Sequence, residues 1–254
     1  MFAFLKDFAG EAAFSLLRYY IIAGFLFILV YLIFSKSLHK HKIQERKADK
    51  NDFRRELLNS SASAIIIGAV AFIASSKWMQ PFTLIYTELS EYPLWWIPVS
   101  VALALIIHDT YFYWMHRLMH HPAIFKYTHL LHHKSTNPTP LASYSFHLLE
   151  AAIEGGVVFV LVFLIPMHPL SLSLFAVSSL TINAYGHLGY EVAPKWVRNS
   201  WLFEIINTST HHNLHHSKFK GNYGLYFRFW DRLMKTENPD YVKIYDQIQK
   251  KRFG

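Results

Sequence analysis

HRLMHHPAIFKYTHLLHH, residues 116–133, decides how this chain is read, and THHNLHH at residues 210–216 answers it. Imidazole is the commonest metal-ligating side chain, and the spacing here is that of a ligand set. On an α-helix, positions four apart are rotated by about 40° and positions three apart by about 60° the other way. His116 and His120 therefore share a face. His129, His132 and His133 form H-x-x-H-H and fan over an arc of about 100°. His212, His215 and His216 repeat that pattern. An arc that wide can offer imidazoles to two neighbouring metals. His121 lies off the His116/His120 face. His211 could join through His215, but the match between the two H-x-x-H-H runs favours His212.

A single histidine at a helix end more often caps or hydrogen-bonds than ligates, and histidine tracts can bind metal adventitiously. Three matched clusters are different, because so many gathered imidazoles have no use as packing. A structural zinc needs only four ligands and usually includes Cys, and this chain has no Cys. The donor count fits two metal ions. Imidazole suits Zn, Cu, Fe and Ni alike, so the donors leave the metal open.

Outward from these motifs, 254 residues allow one large domain or two small ones. Hydrophobic residues make up 52% and the net charge is +8, but long apolar runs alternate with basic ones. That alternation predicts a multi-spanning membrane protein. The expected fold is an all-α membrane bundle of about four spans in two hairpins, with a cytoplasmic histidine-rich helical cap. It forms a single domain over residues 1–254. The spans fall at about 12–34, 57–76 and 94–115, and at 148–186 as a hairpin; the cap takes 116–147 and 187–254. Residues 1–11 read as an amphipathic lead-in at the interface. Residues 12–34 read as an uncleaved anchor in which Arg18 snorkels. The bases of residues 35–56 put that loop in the cytoplasm and the N-terminus outside. Within it, His39 and His41 are expected to be solvated or at the headgroups. Anionic lipid headgroups account for the basic charge, so no nucleic-acid partner is inferred. Without Cys there is no disulfide, thiolate zinc site or iron–sulfur cluster. No G-x-G-x-x-G occurs, so redox electrons must come from outside the chain.

Other residues are placed by this topology. His108 and Asp109, in the last turns of the third span, are candidates to orient a ligand ring; a plain interfacial pair is the alternative. Pro122 should break the helix after His121, with a new helix over about 123–133. KSTNPTP, residues 134–140, is a turn, and His147 and Glu150 follow it. Glu150 and Glu154 open the segment 148–186. Acids inside a membrane are functional candidates, with pairing to a base as the plain reading. Gly155 and Gly156 allow a kink or a close approach. If His187 and His212–His216 meet residues 116–133, the segment 148–186 must double back at about 166–169. That puts His187 on the ligand side and His168 in the far turn. The ligand set is then His116, His120, His129, His132, His133, His187, His212, His215 and His216.

In order, the chain has H-x-x-x-H at 116–120, H-x-x-H-H at 129–133, Asn183 and His187 at a span end, and H-x-x-H-H at 212–216. N-Y-G at 222–224 and W-D-R at 230–232 follow. In these motifs, over residues 109 to 235, the chain resembles the membrane fatty acid hydroxylase/sterol desaturase superfamily. His116-Arg117, PTPLAS at 138–143, His147 and NTSTHH at 207–212 look most like sterol C5-desaturases. Residues 147–150, His-Leu-Leu-Glu, depart from their pattern, and Asn183 stands where some fatty acid hydroxylases carry a further His. The resemblance implies two Fe ions (Zn being able to substitute in purified protein) and O2 as co-substrate. It implies hydroxylation or desaturation of a sterol-like or fatty-acyl lipid drawn from the bilayer. It also implies an external electron donor, cytochrome b5-like or ferredoxin-like. The site would face the cytoplasm from a bacterial inner membrane or the endoplasmic reticulum. His211 and Asp231, within the motifs, join the candidates for orienting the ligands. A carotenoid or other isoprenoid hydroxylase would share this chemistry. A non-enzymatic metal transporter would place its ligands near the bilayer midplane, and a bis-His haem needs one axial His from each side. Neither calls for matched triplets beyond span ends.

Overall fold

The computed structural model describes residues 2–254, with side chains from residue 5 onward; Met1 and the side chains of residues 2–4, part of the expected lead-in, lie outside the described residues. Among the described residues every regular element is helical, and β-structure is limited to isolated bridges.

α1 (Phe2–Phe27) runs on into a π-helical turn, Ile28–Ile33. The expected division between a lead-in and a span starting at residue 12 is not found. Leu5–Ile33 is one apolar stretch long enough to cross a membrane, with no proline to interrupt it. Its faces separate at helical spacing. Ala12, Ser15, Tyr19 and Ala23 are buried, whereas Leu17, Ile21, Phe25, Ile28 and Leu32 are exposed. An exposed apolar stripe of that length is a lipid-facing surface.

α2 (Lys50–Ala74) begins at Lys50, not at residue 57. Asp49 Oδ1 accepts from the N–H groups of Asn51 and Asp52 at 2.7 and 3.0 Å, and Asp52 accepts from the Asp49 N–H at 3.2 Å. This reciprocal cap, worth about 1 kcal/mol, starts the helix inside the basic run. The buried face of α2 carries Glu56, Ser60, Ser63, Ala64 and Gly68, with little bulk. A Cβ on Gly68 would lie 2.8 Å from Ala12 Cα, so α1 and α2 touch backbone to backbone.

α3 (Trp96–Met119) is the third helix long and apolar enough to cross a membrane. It extends past the expected end at residue 115. Ser100, Ala104, His108, Phe112 and His116 recur every fourth residue along its buried stripe. Past Pro122, α4 (Phe125–Thr128) and α5 (Leu130–His133) replace the single helix expected over 123–133. They part at His129, whose ring is engaged by Glu150. The turn after them is buried at Ser135, Asn137 and Thr139. Thr139 Oγ1 donates to Glu56 at 2.5 Å, and Leu141 O accepts from Tyr19 OH and Ser60 Oγ at 2.9 and 2.7 Å. α1 and α2 thereby clamp the turn beside the histidines.

α6 (Leu148–Gly155), α7 (Val157–Leu164) and α8 (Pro169–Gly186) follow, with the helix interrupted at Gly156. Both ends of this segment lie at the histidines. Its middle lies against the connector after α2: Leu84 N–H donates to Val162 O at 2.7 Å, Tyr86 N–H to Met167 O at 3.2 Å, and Trp96 Nε1 to Pro166 O at 2.8 Å. The chain therefore doubles back between α7 and α8. His168 caps α8 at that far end.

The basic stretch before α2 is not free. Ile43 N–H donates to Gly189 O and Glu191 N–H to His41 O, at 3.2 and 2.8 Å. His39 is exposed as expected, but His41 is tied to the Glu191 carbonyl at 3.0 Å. The remaining chain forms α9 (Ser209–Lys218), α10 (Phe229–Leu233) and α11 (Tyr241–Phe253). Phe203, Leu214, Tyr241 and Tyr245 make their core. Arg228, 2% exposed, is held by both oxygens of Glu237 at 2.6 and 2.9 Å.

Candidate metal centre

α3 delivers His116 from its buried stripe, and His120, partly buried, caps its C-terminal end one turn on. α4 and α5 bring His129, His132 and His133, α8 ends at His187, and α9 brings His212, His215 and His216. Two groups of nitrogens result, each within 4.8 Å of one another: His116, His120, His129, His133 and His215 in one, and His132, His187, His212 and His216 in the other. Each H-x-x-H-H run is split between them. Its first and last residues, four apart, enter one group and its middle histidine enters the other. The groups adjoin, with the rings of His129 and His132, and those of His133 and His216, 5.1 Å apart.

The backbone decides how several rings are turned. His116 Nδ1 donates to Tyr223 O at 2.8 Å, His215 Nδ1 to Gly221 O at 2.7 Å and His187 Nδ1 to Asn183 O at 2.8 Å. His129 Nδ1 donates to Glu150 Oε1 at 2.5 Å. A ring with its proton on Nδ1 presents a bare lone pair at Nε2. His116 and His129 nevertheless point Nε2 at each other across 2.9 Å. In the other group, His187 Nε2 lies 3.1 and 3.2 Å from Nε2 of His212 and His216. Lone pairs so aimed repel unless a cation lies between them, so the donor set fits metal ions. Burial holds His120 and His187 down at about 4. It holds His129, His132, His133, His212, His215 and His216 well below the ordinary imidazole value, and neighbouring imidazoles add to the effect. The neutral ring is the form that ligates.

The residues expected to orient ligands divide. Glu150 holds His129 directly. Asn183 holds His187 through its carbonyl, and its amide donates to Ser143 O at 2.8 Å. Asp109 and Asp231 act on the loop after α9. Asp109 Oδ1 accepts from the N–H groups of Leu225, Tyr226 and Phe227, and Asp231 from those of Tyr223 and Gly224. That loop carries the Tyr223 carbonyl that turns His116. His108 does not reach the ligands: Phe112 lies between, and its Nδ1 meets Tyr226 OH at 2.8 Å. His147 caps α6 through Leu149 N–H. His211 is fully buried outside both groups, with burial and then Arg228 holding it down at about 3. His121 is exposed.

Sequence reasoning missed the carbonyls of Gly221 and Tyr223, since a backbone acceptor leaves no mark in residue type. Glycine is required at 221. Its φ is +77°, and a Cβ there would meet Thr236 O at 2.4 Å. Also unforeseen was Glu191, which accepts from Thr210 N–H and Oγ1 at 3.1 and 2.7 Å and sets the first turn of α9.

A cavity of about 460 Å³ runs within the helical bundle toward the histidines. Its walls come from α1, α2, α3 and α6–α8. Phe112 and Phe146 line it and pack their rings on His116 and His132, at 4.9 and 5.1 Å. The chamber therefore ends at Phe112 and Phe146, which separate it from the imidazole groups by one layer of rings.

Comparison with known proteins agrees with this geometry. The fatty acid hydroxylase family matches residues 101–236. The chain is 34% identical over 237 residues to a Delta(7)-sterol 5(6)-desaturase of Gibberella zeae, covering 90% of this chain and 72% of the relative. It is 31% identical over 207 residues to the lathosterol oxidase of Homo sapiens, covering 80% of this chain and 66% of that protein. A Delta(7)-sterol 5(6)-desaturase of Aspergillus fumigatus is 29% identical over 225 residues, covering 79% and 66%. No solved structure matches at a significant level.

Proposed function

The chain belongs to the fatty acid hydroxylase family, and on that footing we propose that it is a membrane-bound, di-iron, O2-dependent oxidoreductase that desaturates or hydroxylates a sterol-like or fatty-acyl lipid. The observation that carries this reading is the gathering of nine imidazoles into adjoining groups of five and four, one layer of aromatic rings from an apolar cavity. Sterol desaturases among the relatives favour desaturation of a sterol-like substrate.

When bound, the two irons supply activation of O2 for removal of hydrogen from an unactivated C–H bond. The chain's own residues do the positioning. His116, His120, His129, His133 and His215 would hold one ion, and His132, His187, His212 and His216 the other. The Tyr223, Gly221 and Asn183 carbonyls and Glu150 keep four of these rings turned inward. Phe112 and Phe146 bring the lipid against the rings and exclude water. Desaturation with O2 forms one double bond and two waters and consumes two electrons and two protons. An external small electron donor, cytochrome b5-like or ferredoxin-like, delivers the electrons. α1, α2 and α3 cross the membrane, α6–α8 enter it as a hairpin, and the metal site lies at the cytoplasmic face.

Metal analysis of purified protein after iron or zinc reconstitution tests the centre, with two ions per chain expected. One ion or none would count strongly against it. His132→Ala should abolish lipid oxidation while membrane insertion persists, and retained oxidation would remove His132 from the site. Lipid profiling of cells with and without the gene identifies the substrate.

A further inference from the structure

The cavity is mostly apolar, and one of its buried acceptors is unpaired. Glu154 lines it from α6 and is 8% exposed. Its Oε1 is buried with no hydrogen-bond partner among the described residues. Two other polar groups deep on the wall are engaged. The Asn183 amide is bonded to Ser143, and His108 Nδ1 to Tyr226. Glu11 and Arg18 are partly exposed on α1, and Arg18 Nε, a donor and not an acceptor, is also without a partner. A buried carboxyl without a partner is costly in an apolar chamber. A pure hydrocarbon occupant would leave it so, whereas a hydroxyl can donate a bond to it or accept one.

We propose that Glu154 is a specificity-determining residue that hydrogen-bonds a hydroxyl of the substrate, so that the cavity selects a lipid alcohol over a plain hydrocarbon chain. The inference rests on the lipid-oxidation reading above and narrows its substrate class. It also restricts where oxidation falls. Glu154 is one helical turn, about 6 Å, from Glu150, and Glu150 touches His129 at the metal group. A hydroxyl bound there places the oxidised carbons near the hydroxyl-bearing end of the molecule, not at the far end of a long chain. The compact ring system of a sterol meets that requirement.

The test is equilibrium binding to the purified full chain in lipid nanodiscs, using a radiolabelled Δ7-sterol and its deoxy analogue, which lacks the hydroxyl. The wild type should prefer the alcohol by about tenfold to a hundredfold, as expected when a buried polar group is otherwise left unpaired. Glu154→Leu should bring the alcohol down to the affinity of the deoxy analogue and leave the analogue unchanged. Glu154→Gln, which still hydrogen-bonds, should recover part of the preference. Equal binding of the two lipids by the wild type would overturn the assignment. So would an equal loss of both in Glu154→Leu, or tighter binding of a fatty acid anion that Arg18→Gln abolishes. The same measurement on His132→Ala separates this inference from the metal reading. The preference must survive there, because the hydroxyl contact does not use the metals. Preference without metal would leave Glu154 standing and sink the enzyme. Metal and lipid oxidation without preference would do the reverse.

Discussion

At the scale of single residues, the centre depends as much on what turns each ring as on the rings. Glu150 lies 1% exposed behind His129. Removing such a partner typically weakens metal binding by about 10–100-fold. Glu150→Ala should therefore deplete the five-histidine group selectively, lowering the metal count from two per chain toward one under mild chelation. Equal loss at both positions would show that Glu150 does not act through His129. A second pair bears on a question that spacing left open. His211 and His212 both stand at helical distances from the later histidines, but only His212 enters a group. His212→Ala should lose metal and His211→Ala should keep it, as read by metal analysis of folded protein. The opposite result would place His211 among the ligands.

At the scale of elements, the close approach of α1 and α2 is a tight helix-on-helix constraint. Gly68 sits against Ala12 with no room for a methyl group. Overpacking at such a contact costs about 1–3 kcal/mol, so Gly68→Val should lower the thermal midpoint in detergent by several degrees. Gly24, on α1 with nothing within 4 Å of its Cβ position, is the control. Gly24→Ala should be neutral or slightly stabilising, since alanine is the better helix former. Comparable losses at both sites would mean that the two helices do not meet at Gly68. The same contact matters to the site, because α1 and α2 together clamp Leu141 and Thr139 beside the histidine-bearing helices.

For the whole molecule, the arrangement puts every histidine of the two groups at one end and the connector after α2, with the turn between α7 and α8, at the other. The topology follows as a prediction. With no Cys in the chain, single cysteines report without background. Lys47, Lys134, Lys218 and Glu88 are all exposed. Lys47→Cys, Lys134→Cys and Lys218→Cys should be protected from an impermeant thiol reagent in intact cells and react after permeabilisation, whereas Glu88→Cys should react from outside. Labelling of Lys218→Cys from outside with Lys134→Cys protected would put the two H-x-x-H-H runs on opposite faces, and no shared centre could form.

From sequence alone, the helical class and the helical register of the histidines were legible, because both rest on local periodicity. A spacing of three or four residues dictates which rings share a face wherever the helix lies. The Asp49 cap was hidden inside a run of charge, so the start of α2 was misplaced. His108 and His147 bond instead to Tyr226 and to the first turn of α6; proximity in the chain to a motif says nothing of which way a neighbouring ring points. How each triplet divides between two groups, which carbonyl turns which ring, and that Glu154 is left facing an apolar cavity were decided only by tertiary structure. These follow from how α3, α5, α8 and α9 converge, and that convergence depends on packing between segments far apart in the chain.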